Sequence, residues 1–159
     1  MKPYLHLALT VFALYTGSPA LAASPVHDHA QGATELTLQL NAGKKWQTDA
    51  PLRAGMLAIR QSMADSLHAI HENKLSARSY DRLAKQVRAS VAQIVATCKL
   101  PPAADAQLHI VIADLLAGAD QMAGQVKGTP RMDGAVKVIG ALKAYGQHFD
   151  HPGFQPIEH

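Results

Sequence analysis

Four runs of apolar residues recur at spacings of three and four, and turn-forming residues cut the chain between them. That period belongs to helices with one buried face. The first run is Leu52, Met56, Ile59, Met63, Leu67 and Ile70. Thr48 or Asp49 offers an N-cap oxygen ahead of it and Pro51 suits a first turn, so a helix is predicted up to about His71. Asn73 to Leu75 turn the chain. Ser76 or Ser79 then caps a second helix with Tyr80, Leu83, Val87, Val91, Ile94 and Cys98 on its inner face. Pro101-Pro102 stop it, because neither proline donates the helical hydrogen bond. A third helix starts near Ala103 and carries Leu108, Val111, Ile112, Leu115, Leu116 and Met122. After a loop over Gly124–Pro130, a fourth runs from about Arg131 to Phe149. Its expected inner residues are Met132, Ala135, Val136, Ile139, Leu142, Tyr145 and Phe149. Short connections imply antiparallel neighbours. The expected fold is all-α, an up-down-up-down antiparallel four-helix bundle over residues 49–152, with a tail over 153–159.

Composition agrees. Aromatic residues make up 5% of the chain against 48% hydrophobic, so the core is built from Ala, Leu, Ile, Val and Met. Such a core favours packed helices over a β-sandwich. Gly55, Gly118, Gly134, Gly140 and Gly146 all fall inside the predicted helices. Each costs about 1 kcal/mol relative to Ala there. Each therefore implies close approach of another helix, or room for a flat ligand.

The beginning of the chain reads as a secretory signal over residues 1–23. Lys2 precedes an apolar run from Leu7 to Tyr15, and Ala20-Leu21-Ala22 offers small residues to a signal peptidase. The run is too short to span a bilayer of roughly 30 Å. No cysteine follows the cleavage region, so no lipid anchor is expected. The mature chain is expected to be periplasmic or secreted, with no membrane anchor. The formal charge of +3 falls to about +2 once Lys2 is removed, which points to no nucleic-acid partner. The lone Cys98 permits no internal disulfide. Residues 24–48 read as a polar arm. Leu36, Leu38 and Leu40 alternate with polar residues there, so the arm is expected to be extended and to lie on the helical body.

In an up-down bundle, the start of the first helix, the end of the second, the start of the third and the end of the fourth share one end. Met56, Cys98, His109, His148 and His151 then fall within roughly 10 Å of that end, with Trp46 beside them. Thiolate, imidazole and thioether suit copper, and zinc if the thioether is left out. Each residue also has a plainer role. Cys98 and Met56 continue apolar stripes, and a histidine near a helix C-terminus complements the dipole. His68 and His71 form an i, i+3 pair that could share a metal, and His27 and His29 flank Asp28 in the arm as a looser metal site.

Met56 early in the first helix and His148 near the end of the last, within Ala144-Tyr145-Gly146-Gln147-His148-Phe149, resemble the four-helix-bundle cytochromes of the b562 type. The resemblance implies haem b held axially by Met56 and His148. The motif C-x-x-C-H is absent, which excludes c-type haem, and the long polar arm departs from that family.

The leading expectation is a periplasmic binding or carrier protein for a transition metal, copper above all. The alternatives are a b-type haem protein, or a cofactor-free structural or interaction module with a periplasmic protein partner. No enzyme is expected. Cys98 and His109 could pair as thiol and imidazole, but nothing supplies an orienting third group or an oxyanion hole.

Overall fold

Asp49 and Ser76 open the first two helices with their own side chains, as their positions suggest. In the computed structural model, which describes residues 37–158, the elements are β1 (Trp46–Gln47), α1 (Ala50–His71), α2 (Ala77–Thr97), α3 (Pro102–Met122), α4 (Arg131–His148) and β2 (Phe149–Asp150). The expected signal segment, His27 and His29 lie outside the described residues. Asp49 Oδ1 accepts the Leu52 N–H at 2.9 Å, and Ser76 Oγ accepts the Ser79 N–H at 3.2 Å. Each bond satisfies one of the donors a helix start leaves unpaired. α3 and α4 follow Pro101 and Pro130 and have no side-chain cap.

The termini differ from expectation in two places. α2 ends at Thr97, and Cys98 is its C-cap in extended conformation rather than the last helical residue. α4 ends at His148, and Phe149–Asp150 become a strand paired in parallel with Trp46–Gln47, Trp46 opposite Phe149. The alternation that ends at Leu40 produces no regular strand over the described residues 37–40. Leu38 packs against the core, Leu40 is exposed, and the chain then turns through Ala42 and Gly43, both with positive φ.

α1 packs on α2, α2 on α3, and α3 most extensively on α4. α1 and α4 stand further apart. The crossing of α3 and α4 is made by glycine against glycine. A Cβ on Gly134 would lie 2.5 Å from both Gly118 O and Met122 N, and one on Gly118 would lie 2.7 Å from Val138 Cγ2. Gly55 likewise admits the Ile94 side chain, and Gly146 admits the Phe154 ring. Gly140 faces open space and has no such role.

This crossing corrects the expected inner face of α4. Met132 and Val136 are exposed, while Gly134, Ala135, Val138, Ile139, Ala141, Leu142 and Tyr145 are buried. Glycine carries no apolar side chain, so an apolar count misses it. Its backbone nonetheless forms the centre of the contact, which turns the helix away from Met132 and Val136.

At the end where α2 starts, Arg131 donates to Asp81 Oδ1 at 2.6 Å and to Met122 O at 2.5 Å, while Arg88 reaches Asp120 Oδ1 at 2.6 Å. These bonds join α4 to α2 and α3, and α2 to α3. Among the described residues, no helix is long and apolar enough to cross a membrane.

Gly134→Ala is expected to destabilise the fold by about 1–3 kcal/mol, because the nearest obstacles are backbone atoms that cannot swing aside. Gly140→Ala should instead be neutral or stabilising by up to about 1 kcal/mol. Urea unfolding of the two variants checks the contrast. The same method tests Tyr80, whose buried hydroxyl has no hydrogen-bond partner among the described residues. Tyr80→Phe should leave stability unchanged or raised, since it removes a desolvated and unpaired group.

Candidate functional site

One carboxylate ties two helix ends together. Asp49 caps α1 with Oδ1, and its Oδ2 accepts the Lys99 N–H, just past α2, at 2.6 Å. The β1–β2 pair joins the start of α1 to the end of α4, and Thr48 Oγ1 adds a 2.6 Å bond to Asp150 O. Lys45 Nζ donates to Gly146 O at 2.6 Å, and the Gln39 N–H reaches Gln107 Oε1 in α3 at 2.7 Å. The start of α1, the end of α2, the start of α3 and the end of α4 are thus bonded to one another directly or through residues 39–48. Trp46 belongs to this junction, and its indole N–H donates to Gln39 O at 2.7 Å.

The expected site residues divide on inspection. Met56 is 0% exposed and belongs to the core cluster that also holds Tyr145, Phe149 and Phe154. Cys98 is half-buried beside the core. Its thiol pKa is raised, first by burial and then by the nearby carboxylates of Asp49 and Asp105. The thiol is therefore held protonated, the opposite of an activated nucleophile. His109 is exposed, with Nδ1 2.9 Å from Asp105 O and 3.5 Å from Asp105 Oδ2. His148 is half-buried, with Nδ1 2.8 Å from Ala144 O. A carbonyl only accepts, so Nδ1 of each ring donates that bond.

His151 is drawn into an aromatic group. Its Nδ1 lies 2.9 Å from the Tyr145 hydroxyl, and its ring packs 5.0 Å from Phe154. Tyr145 stacks on Phe149 at 5.2 Å and meets Phe154 edge-on at 5.1 Å. Burial, aided by the Arg53 guanidinium, lowers the His151 pKa. Burial likewise raises that of Tyr145, so both stay neutral at pH 7. Sequence reasoning named His151 only as a ligand and missed Phe154 and Tyr145 as its partners. The signal available was the local density of rings in Tyr145, His148, Phe149, His151 and Phe154.

His68 and His71 are exposed near the C-terminus of α1, in the half of that helix away from the junction. His68 Nε2 lies 3.4 Å from Glu72 Oε2. Among the described residues, no group of three or more His, Cys, Asp or Glu side chains is gathered so as to hold a metal ion.

A separate feature escaped the sequence altogether. The second half of α1 and the first half of α2 enclose an open groove of about 470 Å³, lined by Ser62, Asp65 and Ser66 on one wall and Ser79, Arg82 and Gln86 on the other.

No family model, no characterised protein and no solved structure matches this chain.

The Cys98 environment predicts slow alkylation by iodoacetamide at pH 8 relative to a free thiol. Asp105→Asn removes one of the charges that disfavour the thiolate, and should shift the rate–pH profile to lower pH. The His151 environment predicts acid sensitivity. A histidine kept neutral by folding contributes stability that is fully present above its ordinary pKa of 6.5. That stability is lost as the pH falls below this value, because the unfolded chain takes up the proton more readily. Unfolding midpoints measured from pH 7.5 down to pH 5 should therefore decline, and decline less in His151→Gln.

Proposed function

We propose that the mature chain is a periplasmic or secreted binding module that works through its surface, with no resident metal or haem. In this reading it is an up-down-up-down antiparallel bundle. The four helix ends tied at one junction and the Arg131 and Arg88 bonds at the other support that order. One observation carries the functional reading. The end where the candidate ligands gather is closed by the chain's own rings. Tyr145, Phe149, Phe154 and His151 pack on one another there, and Met56 is wholly buried. Axial ligation by Met56 would require its side chain to leave the core. The protonated state of Cys98 supports a role other than catalysis.

A second reading keeps the copper carrier, and a specific observation favours it. The carboxylates of Asp49 and Asp105 lie near the Cys98 thiol, close enough to oppose its ionisation. The same field favours a cation beside the sulfur, and His109 presents Nε2 from the adjacent α3. A soft monovalent copper ion suits thiolate and imidazole.

The two readings separate in one preparation. Protein recovered from the periplasm without chelator is assayed for metal, then titrated with haem and with Cu(I) against a chromophoric competitor. The binding-module reading expects sub-stoichiometric metal and no saturable Soret band, with Met56→Leu and His148→Gln altering stability alone. Stoichiometric Cu(I) that is lost in Cys98→Ala establishes the copper reading instead. A sharp Soret band abolished in Met56→Leu or His148→Gln overturns both in favour of haem.

A further inference from the structure

The groove between α1 and α2 lies away from the ring-rich end and carries several polar groups without partners among the described residues. Arg88 and Arg131 are engaged in ion pairs with Asp120 and Asp81. Arg82 has no ion-pair or hydrogen-bond partner among the described residues. Arg78 and Lys85, four residues before it and three after, share its side of α2 and are equally without partners among the described residues. Their charges add to the positive potential along that wall.

The remaining lining refines the chemistry. Ser66 and Gln86 also have no hydrogen-bond partner among the described residues, so a hydroxyl and an amide stand free in the groove with the guanidinium. Asp65, the one acid in the lining, already accepts from Gln61 Nε2 at 2.7 Å. Ser62 donates to Ile59 O at 2.9 Å, which leaves its oxygen to accept. The floor includes Leu83 and Ala58, which add a little apolar surface. The volume of about 470 Å³ falls in the range of small-molecule sites.

We propose that this groove binds a small hydroxylated carboxylate, of the sugar-acid class, with Arg82 holding the carboxylate and Ser66 and Gln86 meeting the hydroxyls. The planar guanidinium offers two parallel N–H donors that match a carboxylate, which an ammonium does not. The hydroxyls complete a polar surface that a purely apolar ligand would leave unpaired.

The test is a titration of ¹⁵N-labelled full chain with gluconate, followed by amide chemical shifts, with glucose as the neutral control. Saturable shifts confined to residues 58–66 and 75–86 are expected with gluconate and not with glucose. Arg82→Gln should weaken gluconate binding by about tenfold or more, and Arg82→Lys by less. Arg82 is exposed, so both variants should melt like the parent, and that melting curve is the control for folding. No saturable shift at tens of millimolar gluconate, a range that corresponds to weaker than about 3 kcal/mol of binding, overturns the proposal. So does equal binding of glucose, or undiminished binding by Arg82→Gln. None of these outcomes bears on the closed end, whose reading stands or falls on the metal and haem assays.

Discussion

The approach of α3 to α4 at Gly118 and Gly134 sets the proportions of the molecule. Two helix backbones can come this close only where both lack a side chain. The closeness on that side is matched by a wider separation of α1 from α4. The chain's few rings gather beyond the end of α4. Tyr145 and Phe149 come from the end of α4, and Phe154 folds back from beyond it through a turn in which the Phe154 N–H donates to His151 O at 3.1 Å. Gly146 leaves the Phe154 ring its place, and Arg60 of α1 donates to Gln155 O, so the last described segment is held from both helices. A core poor in aromatic residues thus spends most of them in one place.

The concentration of rings has a chemical consequence. The same end of the molecule collects a thiol, a thioether and three imidazoles, a set that in isolation suggests metal or haem. Packing constrains three of these groups. Met56 is sealed in the core, His151 is bonded to Tyr145, and the Cys98 thiol is held protonated by burial and two carboxylates. Along α2, Arg82 and Gln86 face the groove beside α1 without partners among the described residues.

Much of the architecture could be read from local chemistry. The caps were recognisable as Thr48 or Asp49 and as Ser76 or Ser79, because a short polar side chain ahead of an apolar period has one strong use, and the structure selects Asp49 and Ser76. The buried stripes of α1 and α2 follow their periodicity residue by residue from Leu52 to Ile94. Leu67 and Leu116, by contrast, are only partly buried. The face of α4 was misjudged at Met132 and Val136, because the element that determined it was a glycine pair between helices. Two-residue strands such as Trp46–Gln47 and Phe149–Asp150 have no period to detect. Their pairing is a contact between segments about a hundred residues apart.

The candidate site divides along the same line. Chain order and helix length already bring Cys98, His109, His148 and His151 to one end, since rise per residue and short connections are properties of the sequence. Whether those groups face one another, face solvent or are buried depends on rotation of each helix about its axis and on where Phe154 returns. Both are set by contacts between residues apart in the chain, at Gly118 against Gly134 and at Phe154 against Gly146. The sequence by itself determined four helices with largely aliphatic inner faces, two of them opened by side-chain caps, because those features arise within a few residues. The tertiary structure alone decided that Tyr145, Phe149, Phe154 and His151 pack on one another and that Arg82 and Gln86 face Ser66 across a groove, because those contacts join residues that meet only once the chain has folded.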